Sequence, residues 1–218
     1  MRGGIRFGEP GFLAAAAGGQ AFIVATGGVE TTYFGAEFTY QVHTFNNSGT
    51  FEVISAPTEA SVDCLVVAGG ASGGSSAAAD NGGSSGGGGS GGLVYFGSES
   101  PTLNSSGFSV SEQAYSVIIG AGGAAPGSVG QGTNGGNSSF GSLVSIGGGG
   151  GGVGNDTGAS GSDGGSGGGG GNDGNGTNFG SATQPTRHFS TVLLLCRPFK
   201  TTLATRFTQG KAEAYPFI

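Results

Sequence analysis

Between Tyr33 and Ile54 apolar and polar positions alternate: Phe38, Tyr40 and Val42 fall at a period of two, "NNSG" at 46–49 supplies turn residues, and Thr50 to Ile54 is rich in β-branched and aromatic side chains. This pattern predicts a β-hairpin over 33–54, with Asn and Gly at its tip because both tolerate tight-turn backbone angles. Further along, alternation gives way to short apolar runs that abut glycine. Cys64 to Ala68 leads into "GGASGG", "GGGGSGG" leads the other way into Leu93 to Phe96, Val117 to Ile119 leads into "GAGGAAPG", and Leu143 to Ile146 leads into six consecutive glycines. A short apolar run bounded by glycine fits a buried strand. The recurring unit is therefore a strand that runs straight into a glycine tract.

A flexible linker, a phosphate-cradling loop and a packed glycine lattice all begin with glycine, and their neighbours separate them. A linker has no reason to be introduced each time by a buried strand. Glycine can adopt the polyproline-II helix, which has three residues per turn and no internal hydrogen bonds, so its N–H and C=O groups are free to bond neighbouring helices. Ordering glycine is entropically costly, and such a lattice persists only where anchoring strands and many lateral hydrogen bonds offset that cost. The expected fold class is all-β, with short strands and hairpins combined with packed polyglycine-II-like tracts. Residues 1–32 read as an N-terminal joining segment, 33–180 as the glycine-rich β domain, and 181–218 as a compositionally distinct C-terminal segment. Within the first of these, "AFIVATGG" is a candidate strand.

Composition supports the lattice reading. Of 218 residues 53 are glycine, so a conventional side-chain core is thin, and the absence of a strict three-residue repeat excludes collagen. Charged residues make up only 9%, too few to keep the chain expanded as a solvated disordered segment. Residues 1–180 carry a net charge of −10 and residues 181–218 a net of +4, which together give the overall −6. No basic surface is available to hold phosphates, so nucleic acid is not an expected partner. Arg2 and Arg6 before "FLAAAAGGQAFIVA" imitate a signal peptide, but Gly18, Gly19 and Gln20 interrupt the apolar region, and no run is long enough to span a bilayer.

Candidate chemistry is sparse. "SVIIGAGGAAPG" places Gly120, Gly122 and Ala125 in the G-x-G-x-x-A spacing of a dinucleotide fingerprint, yet that motif needs a helix opening at its end and an acid about 20 residues on. Pro126 and a glycine-rich stretch follow instead, and the next acid is Asp156. No lysine precedes Lys200, which removes a P-loop. Cys64 and Cys196, 132 positions apart, with His43 and His188 as the two imidazoles, lack zinc-ligand spacing, and their pairing stays open. His43, on a strand beside Phe45 and Phe51, reads as a structural or partner-facing histidine rather than a general base. Asp156, Asp163 and Asp173 sit among glycines in irregular spacing, which favours turn roles over metal binding. No enzyme activity, cofactor or metal is expected.

Taken in order, "YQVHTFNNSGTFEV", "VDCLVVAGGASGG", "GGGGSGGLVY", "YSVIIGAGG" and "GGNSSFGSLVSIGGGGGG" resemble the glycine-rich domain of tail-fibre and adhesin-like structural proteins of tailed bacteriophages. The resemblance covers roughly residues 25 to 180. It implies a virion structural protein, in a tail fibre or other surface appendage, that attaches to a host cell-surface carbohydrate or outer-membrane protein and forms a homo-oligomer, often a trimer. It also implies that loops between glycine tracts carry the receptor contacts. The positions in that role here are Asp80, Asn81, Asn155, Asp156, Asn172, Asp173 and Asn175. The alternative is a structural subunit without a receptor, such as a capsid decoration or extracellular filament protein, in which edge strands such as Leu143 to Ile146 pair between subunits. After Gly180 the pattern stops: one glycine remains in 38 residues, and five of the seven basic residues, Arg187, Arg197, Lys200, Arg206 and Lys211, fall there. "TVLLLC" and "TTLATRF" read as strands that close the fold or dock on a neighbour; a frameshifted tail is the competing reading.

Overall fold

The computed structural model describes residues 22–34, 39–76, 83–97, 107–154, 160–172, 179–184 and 192–196. Among them eleven strands are found and no helix. One sheet runs β1 (Val24–Thr26), β4 (Gly49–Ser55), β8 (Ala114–Ile118), β9 (Ser138–Phe140), β10 (Leu143–Ser145). The other runs β2 (Val29–Phe34), β3 (Thr39–Phe45), β11 (Val192–Cys196), β5 (Ser61–Val67), β6 (Leu93–Phe96), with β7 (Phe108–Ser109) also on β5. Every strand pair is antiparallel. The inner faces of both sheets meet in one apolar cluster. Phe51, Val53, Val117 and Phe140 come from the first sheet, and Phe45, Val62, Cys64 and Val66 from the second. Phe140 is its hub, with Phe51 at 5.8 Å and Phe108 at 5.2 Å in edge-to-face geometry, an arrangement worth about 1 kcal/mol per pair beyond the area buried.

The hairpin expected over 33–54 is not formed. Both strands exist, but β3 pairs with β2 and β11 while β4 pairs with β1 and β8, so the "NNSG" segment passes from one sheet to the other. Gly27 and Gly28 make the matching crossover between β1 and β2. Their φ values of 116° and 68° suit glycine alone, and a Cβ on Gly28 would lie 2.7 Å from the Thr44 carbonyl oxygen. The imidazole of His43, 1% exposed, ties this crossover to the core. Its Nδ1–H donates to the Gly27 carbonyl at 2.8 Å, and its ring meets the face of Phe51 edge-on at 5.1 Å. His43 is thus a core residue, on the Phe45 and Phe51 side as its alternation suggests. β1 and the start of β2 lie within residues 1–32, where the sequence pattern offered a single candidate strand.

Cys64 is a free thiol buried in the centre of β5. "TVLLLC" does form a strand, β11, inserted between β3 and β5 with Leu194 opposite both His43 and Cys64. "TTLATRF" lies outside the described residues.

Candidate functional site

Eight extended tracts pack together, five of them continuing directly from strands. Tract 1 (residues 68–76) leaves from β5 and tract 2 (83–92) returns into β6; tract 3 (119–126) leaves from β8 and tract 4 (130–137) returns into β9; tract 5 (146–154) leaves from β10. Tracts 6 (160–165), 7 (166–172) and 8 (179–184) complete the set. The strand-to-glycine unit read from the sequence is therefore the junction between a sheet and a lattice.

The six-glycine run is the lattice's centre, and its bonding repeats every three residues. The amides of Gly148 and Gly151 donate to Gly69 and Ser72 of tract 1, and those of Gly149 and Gly152 to Ser166 and Gly169 of tract 7. The carbonyls of Gly149 and Gly152 accept from Gly89 and Gly86 of tract 2, those of Gly148 and Gly151 from Gly135 and Gly132 of tract 4, and those of Gly147 and Gly150 from Gly165 and Ser162 of tract 6. The amides of Gly147 and Gly150 meet no backbone carbonyl of another tract among the described residues. They donate instead to the Asn137 and Asn134 side-chain oxygens, at 2.8 and 2.7 Å. All twelve backbone groups of Gly147 to Gly152 are thus paired outside their own tract. This is polyglycine-II packing, with threefold bonding directions set by three residues per turn. It holds only glycine at its centre: a Cβ on Gly151 would lie 2.7 Å from the Gly86 carbonyl carbon and 2.8 Å from the Gly74 nitrogen.

Sequence reading missed the two asparagines. The signal was present in "TNGGN", where Asn134 and Asn137 stand three residues apart, one polyproline-II turn, and so project along the same flank. Gln184 was missed as well. Its side-chain oxygen accepts from the Ile146 amide at 2.7 Å and its Nε2 donates to the Val144 carbonyl at 3.0 Å, securing the junction of β10 with tract 5.

Bonding register also gives direction. Partner numbers rise together between tracts 5 and 1 and between tracts 5 and 7, so these run parallel; they move oppositely between tract 5 and tracts 2, 4 and 6. Tract 3 opposes tract 4 and tract 8 parallels tract 6. Odd-numbered tracts therefore run away from the sheets and even-numbered ones return. The far ends of the described tracts converge accordingly. Ser76 Oγ donates to Gly83 at 3.0 Å, the Asn172 amide to Ser84 at 2.7 Å, Ser75 and Gly130 exchange backbone bonds, and Gln131 Nε2 donates to Ser160 at 2.9 Å.

These ends border the segments 77–82, 155–159 and 173–178, which hold six of the seven candidate contact residues. Asp80, Asn81, Asn155, Asp156, Asp173 and Asn175 lie outside the described residues, and Asn172, described, is exposed at the same end. What the lattice brings together is the set of anchor points on which these segments begin and end. No lysine or arginine occurs between Arg6 and Arg187, so the carboxylates in those segments have no basic neighbour in the lattice sequence. Asp163, by contrast, is spent structurally as an acceptor for the Ser181 amide. Gly120, Gly122 and Ala125 lie in tract 3, an extended segment with no helix at its end. Among the described residues no group of three or more His, Cys, Asp and Glu is arranged to hold a metal, and no helix is long and apolar enough to cross a membrane.

No curated protein and no solved structure matches the chain. A family model described as a glycine-rich domain matches residues 44–207, a span that takes in the last two residues of β3, β4 through β11 and all eight tracts. The strand-anchored lattice is the form that this match takes in three dimensions, and the chain belongs to the glycine-rich domain family.

Proposed function

We propose that this chain is a surface-attachment module of the tail-fibre or adhesin type, a virion structural protein whose lattice is a stiff platform and whose connecting segments touch the host. The observation that carries the reading is directional: four tracts leave the sheets, four return, and their far ends converge. A bonded glycine lattice ties the ends of three polar segments at fixed spacing, which lowers the ordering cost of binding a multipoint target. Asp, Asn and Thr in those segments supply donors and acceptors of the kind that recognise sugar hydroxyls, so a host cell-surface carbohydrate is the preferred target and an outer-membrane protein the second. In this reading the chain is a homo-oligomer in a fibre or other surface appendage, without enzymatic activity or cofactor.

The test combines immunogold labelling of particles and source cells with binding of labelled recombinant protein to those cells. Three variants replace Asp80 and Asn81, Asn155 and Asp156, or Asp173 and Asn175 by serine. Label at fibre tips, and at least about a tenfold loss of cell binding in one variant, equivalent to roughly 1.4 kcal/mol, is the expected result. Undiminished binding in all three removes the loop assignment. A subunit without a receptor, such as a decoration or filament protein, is the second reading, favoured by the exposed edge strand β2; label along a capsid or filament with no cell binding would establish it.

A further inference from the structure

We infer that β2 is an interface on which a second copy of this chain pairs, strand to strand, about a twofold axis. Among the described residues β2 bonds only to β3 and forms the edge of its sheet, so alternate residues direct their N–H and C=O groups away from β3. All six of its residues, "VETTYF", are exposed, with Val29 61%, Tyr33 60% and Phe34 77% open. Proteins protect open edges by keeping them short, bulging them, covering them, or placing lysine or proline in them.

The other edges follow that rule. β1 has three residues and a register shift between Val24 and Ala25. β10 has three, and Gln184 covers its Val144 carbonyl. β6 has four, all half-buried. β2 is the longest of the four and has no bulge, lysine or proline. The sequence analysis named Leu143 to Ile146 as a pairing edge; the Gln184 clamp turns the choice to β2.

The strand is also self-complementary. A twofold through such an edge stands perpendicular to the sheet and keeps every side chain on its own face, so the register is centred on a residue; centred on Thr31, it sets Val29 of one copy against Tyr33 of the other, Glu30 against Thr32, and Thr31 against Thr31. Apolar meets apolar, the hydroxyls pair, and the one charge never faces itself, since like charges directly opposite are destabilising. Glu30 is held on its own subunit by Gln41 Nε2, which donates to its carboxylate at 2.9 Å. Such an interface is isologous and closes at two copies, unlike the trimer implied by the fibre resemblance. It does not rest on the attachment reading.

The full chain is examined by light scattering across a concentration series. The expected mass is twice 20.8 kDa, and V29K/Y33K, which sets like charges opposite each other at two pairs, is expected to halve it with an unchanged melting transition. Because both side chains are exposed, that variant folds; should it not, Thr31→Lys alone serves the same purpose. Register is read separately: in a background lacking Cys64 and Cys196, T31C crosslinks to its own copy, and T32C does so far less. A monomeric wild type, a trimer, or a dimer that V29K/Y33K and Thr31→Lys leave intact overturns the inference, as does crosslinking with no preference for T31C over T32C.

Discussion

Gly151→Ala separates a packed lattice from a glycine linker. The added methyl would sit 2.7 Å from the Gly86 carbonyl carbon and 2.8 Å from the Gly74 nitrogen, both backbone atoms of neighbouring tracts that have no rotamer to move. Overpacking of this kind costs about 1–3 kcal/mol. Pushing the tracts apart also weakens the bonds from Gly151 to Ser72 and from Gly132 to Gly151, each worth about 1 kcal/mol net. Against this, alanine restricts the unfolded chain and returns roughly 0.4–1 kcal/mol. The balance is a destabilisation of about 2–4 kcal/mol. Gly87→Ala is the internal control: its φ is not positive, and a methyl there meets nothing within 4 Å, so only the unfolded-state term operates and stability holds or rises slightly. Urea unfolding of both variants against wild type reads the difference directly. If Gly151→Ala is tolerated as well as Gly87→Ala, the tracts are not packed as described and the argument fails.

Native-state hydrogen exchange is expected to show protected amides from Gly147 to Gly152, all of which donate to other tracts or side chains; free exchange there would return the run to linker status. Asn134→Ala leaves the buried Gly150 amide without its acceptor and costs about 1–3 kcal/mol, whereas Asn134→Asp, which keeps an oxygen in place, loses less; exchange at Gly150 distinguishes them. Phe51→Ala, at a fully buried ring that His43, Tyr115 and Phe140 all touch, is expected to cost about 3–5 kcal/mol in the same urea assay. Burial pushes the Cys64 thiol from its ordinary 9.0 up to about 12. A folded pKa above the unfolded one means that its contribution is complete below pH 9 and is lost as pH rises toward 12; the unfolding midpoint of wild type should therefore fall more steeply over that window than that of Cys64→Ala.

The strands were legible because their pattern is local. Leu93 to Phe96 is β6 to the residue, and Thr50 to Ile54 and Leu143 to Ile146 each lie within one residue of their strands. Partner choice was not local. "NNSG" has the composition of a hairpin turn, yet β3 and β4 separate because the Gly27–Gly28 crossover delivers β1 to β4 and β2 to β3, and because β11 arrives from about 150 positions away to take the other side of β3. Turn chemistry fixes where a chain bends but says nothing of which edge offers the better burial. Of the candidate site, the sequence showed which segments are polar and glycine-rich. It did not show that their anchor points share one end, because direction is carried by hydrogen bonds between tracts far apart in the chain.

Sheet order and lattice order are one property. β8, β9 and β10 are neighbours in the first sheet, and tracts 3, 4 and 5, which continue them, are neighbours in the lattice; β5 and β6 pair in the second sheet, and tracts 1 and 2 pair beyond them. Tract 1 then bonds to tracts 3, 4 and 5, so the two rows interlock where the two sheets face each other. Glycine alone could not select this arrangement, since every polyglycine tract is equivalent to every other and slippage by three residues restores each bond. Side chains in the sheets break that degeneracy: Phe140, Val117 and Val66 each have one buried place, and a tract leaving a fixed strand inherits its register. A three-glycine deletion within Gly147 to Gly152 tests this, because it preserves lattice bonding directions while shortening tract 5 by one turn. It should leave the sheets folded, seen as an unchanged near-ultraviolet signal from the Phe51 and Tyr115 cluster, and lower protection at Gly86, whose amide donates to the Gly152 carbonyl. A cooperative loss of both signals would mean instead that lattice and sheets fold as a single unit, with the register set by neither alone.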